Sequence, residues 1–359
     1  MVNIKRINTY EFKLPMIRSL EWGLSGKLEE LKHVLIEVEL DDGSIGLGEA
    51  TPRPTIYGET SNSISSIISQ EFSPYIIGKE INPESIREIW NNINRIKNNN
   101  TAKGSLDIAL HDAYKNSLGL TTKGYFGIDN HLVPVSYILG IKDLSDSITE
   151  ANDVYSKGVR VLKVKVGKDF ASDYDRIREL LNNIPQDMKF YVDANECFNP
   201  DDAENKLDLL KELGCLYCEE PIDISLIKNR RSLREKGIIP LIADDSVKSM
   251  NNLDYQIKKN TFDILNIKSP KTGITESLDM ILEAEKNGKQ VMFGSHASSS
   301  LGAYTTILLA TIAKSSIASE ASFFVNLYDD IVENPIRIVD GYVRLADIEP
   351  FKIRRELLK

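Results

Sequence analysis

The run Val161-Leu-Lys-Val-Lys-Val166, with Lys163 and Lys165 two residues apart, opens the series that decides the fold. Further along, Asp193 ends Phe190-Tyr-Val-Asp193, Glu219 ends Cys215-Leu-Tyr-Cys-Glu219, Asp244 ends Leu241-Ile-Ala-Asp244, and Lys268 ends Ile264-Leu-Asn-Ile-Lys268. From Lys165 onward these polar ends recur at intervals of 28, 26, 25 and 24 residues. Each closes a short apolar run and is followed by a polar stretch with helical periodicity. That is the rhythm of repeated strand–helix units in a parallel barrel, where all strand carboxyl ends converge on one mouth. Three acids flanked by lysines then meet in that mouth, an arrangement suited to a metal ion that acidifies a carbon beside a carboxylate.

Working outward, the spacing predicts eight strands: Val133–Leu139, Val161–Val166, Lys189–Asp193, Leu216–Glu219, Pro240–Asp244, Ile264–Lys268, Gln290–Phe293 and Ser316–Glu320. Helical stretches lie between them, among them Ser172–Asn183, Asp201–Leu213, Ser225–Lys236, Asn252–Lys258, Glu276–Asn287 and Gly302–Ala313. Before the barrel, Asn3–Leu14, His33–Leu40 and Ile45–Ala50 alternate as antiparallel strands, with an Asp41-Asp-Gly-Ser44 turn between the last two. Ser61–Glu71, Pro83–Ile96 and Thr101–Leu118 read as helices, so this first unit is α+β. After the eighth strand, Ile331–Leu345 reads as a hairpin that returns to the first unit in place of an eighth helix. The expected division is a capping unit over 1–125, a barrel over 126–322 and a returning segment over 323–359.

A chain of 359 residues has room for a barrel and a smaller second unit. With 42% apolar and 27% charged residues it is composed like a soluble globular protein. A net charge of −9 and no basic stripe argue against nucleic acid as a partner. No apolar run reaches the roughly 20 residues that span a bilayer, and the N-terminus has no secretory pattern. Cys197, Cys215 and Cys218 form no even framework, which fits a reducing cytoplasm. The Cys215/Cys218 pair lies inside an apolar run and reads as packing.

Lys163 and Lys165 share one face of their strand. Two ammonium groups inside a barrel need opposing charge, and their mutual repulsion is expected to lower the pKa of one, giving a base near neutral pH. Asp193, Glu219 and Asp244, with no histidine or thiolate among them, favour a hard cation: Mg²⁺, or Mn²⁺. Asn195 faces the same way as Asp193 and can hold a ligand or an acid. Glu220 and Asp245 follow two of the acids and are expected to turn to the other side in supporting roles. Lys268 ends the sixth strand, across the mouth from the second, so a bound substrate has a lysine on each face. One removes a proton and the other delivers it, which is the minimum for epimerisation. Lys271, just beyond, reads as support for the loop.

The motifs Lys163-Val-Lys-Val-Gly167, Asp193-Ala-Asn195, Glu219-Glu-Pro221, Ala243-Asp-Asp-Ser246 and Asn266-Ile-Lys-x-x-Lys-Thr-Gly273 resemble the enolase superfamily, in its muconate-lactonizing-enzyme subgroup. The resemblance spans nearly the whole chain, including Gly46-Leu-Gly-Glu-Ala50 and Asp330-Ile-Val-Glu-Asn-Pro335. It implies an α/β fold: a (β/α)7β TIM-like barrel with an N-terminal α+β capping domain completed by the C-terminal segment. It implies Mg²⁺ on Asp193, Glu219 and Asp244, Lys165 and Lys268 as acid/base partners, and Lys163 binding the substrate carboxylate and depressing the pKa of Lys165. It also implies a homo-oligomer, a dimer or an octamer.

Departures from the subgroup pattern concern specificity. Gly294-Ser-His-Ala-Ser-Ser-Ser-Leu-Gly302 places Ser298 where the subgroup carries a glutamate, and His296 in this loop is a candidate substrate contact. Dipeptide epimerases of the subgroup carry Asp-x-Asp after the eighth strand; here the stretch is Glu320-Ala-Ser322, leaving Glu320 as a candidate for substrate binding. Two cap loops, Met16–Lys27 with Arg18 and Trp22, and Thr51–Gly58 with Arg53 and Tyr57, are expected to close over the mouth, their arginines suiting a second anionic group. The expected reaction is racemisation, epimerisation or cycloisomerisation of a small carboxylate: an amino-acid derivative, a dipeptide or a muconate. Dehydration of an acid sugar or an o-succinylbenzoate precursor is the alternative, and a non-catalytic metabolite-binding barrel is a third reading.

Overall fold

The structure, a computed structural model, describes residues 1–22, 26–129, 131–167, 169–348 and 350–359, without the side chains of residues 22 and 26. Three antiparallel strands open the chain: β1 (Ile4–Trp22), β2 (Gly26–Leu40) and β3 (Ile45–Ala50), in the order β1-β2-β3. Val34, Ile36, Val38 and Leu40 alternate onto one face and pack against Ile86, Ile89 and Trp90 of the Pro83–Ile93 helix and Leu106 and Leu110 of the Asn100–Ser117 helix. Sheet and helices thus form one side of a small core of their own. The described residues of the predicted loop Met16–Lys27, residues 16–22 and 26–27, instead extend the β1–β2 pairing, with Leu20 opposite Leu28 and Glu21 opposite Lys27. A register shift between Pro15 and Leu20 bends the ladder there, which is how a proline is accommodated in so long a strand.

The barrel follows in chain order. Its strands are β5 (Ser136–Leu139), β6 (Val161–Lys165), β7 (Lys189–Asp193), β8 (Cys218–Glu219), β9 (Leu241–Ala243), β10 (Ile264–Lys268) and β11 (Gln290–Gly294), all parallel and each beside its sequence neighbours. Each is followed by a helix on the outside, and Leu162, Val164, Val192, Leu265 and Phe293 face that layer within the main core. Inside, Tyr191, Ile242, Ile264, Met292 and Ile317 make an apolar floor. Above that floor the interior turns ionic.

The eighth predicted strand, Ser316–Glu320, does not form a regular ladder. It closes the ring through single backbone bonds: Ser136 N–H to the Ser319 carbonyl at 2.8 Å, Ser319 N–H to Pro134 at 2.9 Å, and Glu320 N–H to Phe293 at 2.8 Å. The predicted first strand is also divided, because Leu132–Pro134 forms a separate strand, β4. The expected hairpin over 331–345 is reduced to its turn: Val339 and Tyr342 exchange two backbone hydrogen bonds of 2.9 Å around Asp340-Gly341, and the ladder itself is made with another segment, β12 (Tyr342–Arg344) pairing antiparallel with β4 at the barrel's base. The segment meets the cap on both sides of β12: Leu327 bridges Met16 and the Tyr328 N–H reaches the Pro15 carbonyl at 3.1 Å, and at its end Lys359 and Glu11 exchange two backbone hydrogen bonds of 2.9 and 3.2 Å. No helix among the described residues is long and apolar enough to cross a membrane.

Candidate active site

Strand register builds the site. Lys165 on β6 lies opposite Asp193 on β7, and Asp193 lies opposite Glu219 on β8. Asp244 follows β9 directly, on the same inward face. In-register neighbours on parallel strands point the same way, so a lattice of ammonium and carboxylate groups fills the upper barrel. Lys163, 2% exposed, donates to Glu219 at 2.7 Å and Glu320 at 2.6 Å and lies 3.0 Å from Asp193. Lys165 donates to Asp193 at 2.5 Å and to Asn195 at 3.1 Å. Lys268 pairs with Asp244. In an eight-membered ring the sixth strand faces the second, so the lysines ending β6 and β10 stand across the mouth from one another.

These contacts set the charge and the partners of Lys163. Burial alone would lower its pKa, but Asp193, Glu219 and Glu320 outweigh burial and hold the ammonium well above its ordinary range. For Lys163 the neighbouring acids are therefore the governing effect. Its three donors are also all directed at carboxylates, so it has none left for a substrate carboxylate. Lys268 is raised likewise: burial opposes the proton, and Asp244, Asp245 and Glu320 more than restore it. Glu320 lies within the lattice, accepting from Lys163, Asn266 and the Ser295 N–H, rather than facing a substrate.

Supporting residues fix the acids. Asn195, with a positive φ of 42°, donates its backbone N–H to Asp193 while its side chain accepts from Lys165. Glu220 turns away, as expected, and accepts from the Asp244 and Ser246 N–H groups at 2.7 and 2.9 Å while pairing with buried Arg230 at 2.6 Å. Asp245 is half-buried, and its charge adds to that of Asp244 in raising the pKa of Lys268. Lys271 reaches the Val247 carbonyl at 3.4 Å and lies 3.8 Å from Asp244.

The cap supplies the roof. Tyr57, in the short Pro54–Tyr57 helix, bonds His296 Nε2 at 2.9 Å, and Thr51 bonds His296 Nδ1 at 3.2 Å. His296 is thus held by two cap hydroxyls, and burial with Lys268, Arg53 and Lys271 nearby keeps it neutral, its pKa well below normal. Arg53 is 7% exposed, with one Nη donating to the Pro52 carbonyl at 2.7 Å. Arg18 does not reach the mouth as an open cation: it pairs with Asp153 at 2.7 Å. The Trp22 side chain lies outside the described residues. Ser298 is buried, and no carboxylate stands at its position. Instead Glu49 from β3 enters this region, accepting from the Ser299 N–H at 3.1 Å, the Ser299 hydroxyl at 2.5 Å, Gly302 N–H at 2.7 Å and His33 Nδ1 at 2.6 Å. Nothing local in the sequence marks Glu49 for this role, because Ser299 and Gly302 lie about 250 residues away.

Three carboxylates without thiolate or imidazole suit Mg²⁺ or Mn²⁺ in kind. The charge state agrees. Glu219 is pushed well above its ordinary range by burial and by neighbouring Asp193, against the pull of Lys163, which marks a place short of positive charge. Asp244 Oδ1 is buried and accepts no hydrogen bond. The acids are not arranged as a finished cage, however: among the described residues no group of three or more acids, histidines or cysteines is disposed to hold a cation. Each acid is drawn onto a lysine, and those contacts must open for an ion to enter. The residues fit the ion in kind, and Asp193, Glu219 and Asp244 would be its holders. A cavity of about 740 Å³ between β3, the Asn100–Ser117 helix and the Ser300–Ile312 helix is lined by none of these lysines or acids.

Comparison with known proteins agrees with this geometry. Residues 146–350 match the family described as enolase C-terminal domain-like, and residues 23–124 match the mandelate racemase/muconate lactonizing enzyme N-terminal domain. An N-succinyl-L-Arg/Lys racemase of Bacillus cereus is 28% identical, with 92% of this chain and 86% of that one aligned. An L-Ala-D/L-Glu epimerase of Bacillus subtilis is 26% identical over 84% of this chain and 83% of its own. A muconate lactonizing enzyme of Mycobacterium smegmatis, solved with muconolactone, superposes with a TM-score of 0.89 at 28% identity, covering 99% of this chain and 98% of that one.

Proposed function

Since the chain belongs to the enolase superfamily, in its mandelate racemase/muconate lactonizing enzyme group, we propose that it is an isomerase that moves the α-proton of a small carboxylate from one face to the other. The observation that carries this reading is the placement of Lys165 and Lys268 at opposed strand ends, each against an acid of the trio. One lysine, as the free amine, takes the proton from one face of the α-carbon, and the other, as ammonium, returns a proton to the opposite face. A carboxylate that turns away from its lysine removes the charge holding that lysine's proton. A bound Mg²⁺ would supply the positive charge that stabilises an enolate. Lys163, tied to three acids, keeps those carboxylates in place and compensates their charge. Neutral His296 and Tyr57 close the roof. The relatives include a racemase of N-succinyl amino acids and a dipeptide epimerase, which supports an amino-acid derivative as substrate.

Incubation with N-acyl amino acids, dipeptides and muconates in D₂O with Mg²⁺ tests this. Racemisation or epimerisation places one deuterium at the α-carbon of recovered substrate. A dehydratase would release an alkene or keto product instead, a cycloisomerase a lactone, and absence of exchange with every substrate would refute the proposal.

A further inference from the structure

Lys165 is the last residue of β6, and the chain then leaves the sheet through Gly167. Gly167 has a φ of +129°, and a Cβ there would stand 2.6 Å from the Cβ of Cys197, so this turn is tight. Two residues of the Phe170–Asn182 helix, one turn apart, hold it from the outer layer. Arg176 donates through Nη2 to the Lys165 carbonyl at 2.8 Å and to Asp173 Oδ1 at 3.0 Å. Asp173 Oδ2 accepts the Gly167 N–H at 2.7 Å. The ion pair thus closes a ring with the backbone on both sides of Val166, directly behind the amine that meets Asp193 and Asn195. Asp173 is buried, and the other amino group of Arg176, Nη1, is buried with no acceptor. Stability alone does not call for such a pair, because apolar side chains of similar volume often serve a buried contact as well. What the pair adds is a fixed backbone under one lysine. The opposite lysine is anchored by other elements: the Thr272 hydroxyl donates to the Lys268 carbonyl at 3.1 Å, and Asp107 of the cap accepts the Ile274 and Thr275 N–H groups.

We infer that Asp173 and Arg176 are positioning residues for Lys165 and not for Lys268, setting the reach of one amine toward one face of the substrate. The inference rests on the reading of these lysines as acid/base partners. A reacting group misplaced by about 1 Å costs on the order of a hundredfold in rate. Misplacing one lysine of two has a stereochemical signature that a merely structural role lacks. Exchange falls for the enantiomer that Lys165 deprotonates and survives for the one that Lys268 deprotonates, whereas general loosening of the barrel slows both.

The test joins crystal structures of the Mg²⁺-loaded variants to α-deuterium incorporation in D₂O, measured for each enantiomer of an N-acyl amino acid. Arg176→Met is expected to move Lys165 Nζ by about 1 Å or more while Lys268 Nζ keeps its place, and to slow exchange about ten- to a hundredfold for the hand that Lys165→Ala loses. The other hand should stay within about threefold of wild type, as independent sites do. Arg176→Lys, which keeps the charge without the guanidinium fork, should restore part of the loss. If Arg176→Met does not fold, Asp173→Asn carries the test, since it keeps an acceptor for Gly167 and gives up the one for Arg176; the same hand should slow. An unmoved Lys165 amine, equal slowing of both hands, or a displaced amine with both hands at the wild-type rate would overturn the inference. A displaced amine in the variants, with no exchange by the wild type on any substrate, sinks the isomerase reading alone.

Discussion

Lys165 reaches Asp193 and Asn195 at once, and Lys268 reaches Asp244. At this scale the structure makes a sharp prediction: Lys165→Ala and Lys268→Ala each lower racemisation by at least about a thousandfold, the value of a positioned acid or base together with the loss of its partner's charge, with far-ultraviolet circular dichroism unchanged. Full activity in either variant excludes two-base chemistry. The residues ending the apolar runs were legible because strand register is visible in sequence: Lys165, Asp193 and Glu219 are neighbours across the sheet as their intervals require. Charge states were not legible. Lys163 is held protonated by Asp193 and Glu219 and also by Glu320, 157 residues away, whose inward direction no local pattern announces.

The elements that hold the site on the cap side pack closely enough to test. Gly104, in the Asn100–Ser117 helix, faces Pro270 just after Lys268, and a Cβ there would stand 2.3 Å from the Pro270 carbonyl oxygen. Gly104→Ala therefore destabilises the protein, although in an open helix the same change stabilises by about 1 kcal/mol; a higher midpoint of urea unfolding would contradict this. Asp330 ties the start of the Ser300–Ile312 helix, accepting from the Ser300 hydroxyl and N–H at 2.7 and 3.1 Å. Burial raises its pKa from 3.8 to about 6. A carboxyl raised on folding favours the folded state at low pH, and this contribution fades as pH rises from about 4 through 6. It amounts to about 2 kcal/mol, so Asp330→Asn should flatten stability over that interval, read by chemical denaturation at pH 4 and pH 7. Regular elements of the barrel were readable from their periodicity. The place of the eighth segment was readable too, but not its irregularity, since Ser316–Glu320 holds the ring by single bonds rather than a ladder. Nor was the extended hairpin, because charges and Pro15 interrupt its alternation and its pairing arises from the facing strand.

Across the whole molecule, the ionic centre belongs to the barrel, and the acids there are held by lysines. Binding of Mg²⁺ to the folded state alone must raise thermal stability by mass action, by about 2 °C or more at a hundredfold excess over its dissociation constant. Asp193→Asn should abolish that shift, and Ca²⁺, larger and more loosely coordinated, should give a different one. An unchanged shift in Asp193→Asn would place the ion elsewhere. The two-unit architecture was readable because composition and periodicity change along the chain. The way Glu49 of the cap joins Ser299 and Gly302 of the barrel was not, since nothing local marks a carboxylate whose donors arrive from the far end of the sequence.

The opposition of Lys165 and Lys268 is tested most directly by following α-deuterium incorporation separately for each enantiomer of a turned-over N-acyl amino acid in D₂O. Each alanine variant should keep exchange for one enantiomer only, with opposite hands surviving in Lys165→Ala and Lys268→Ala. Loss of the same hand in both variants, or racemisation persisting in either, would contradict lysines on two faces of the substrate.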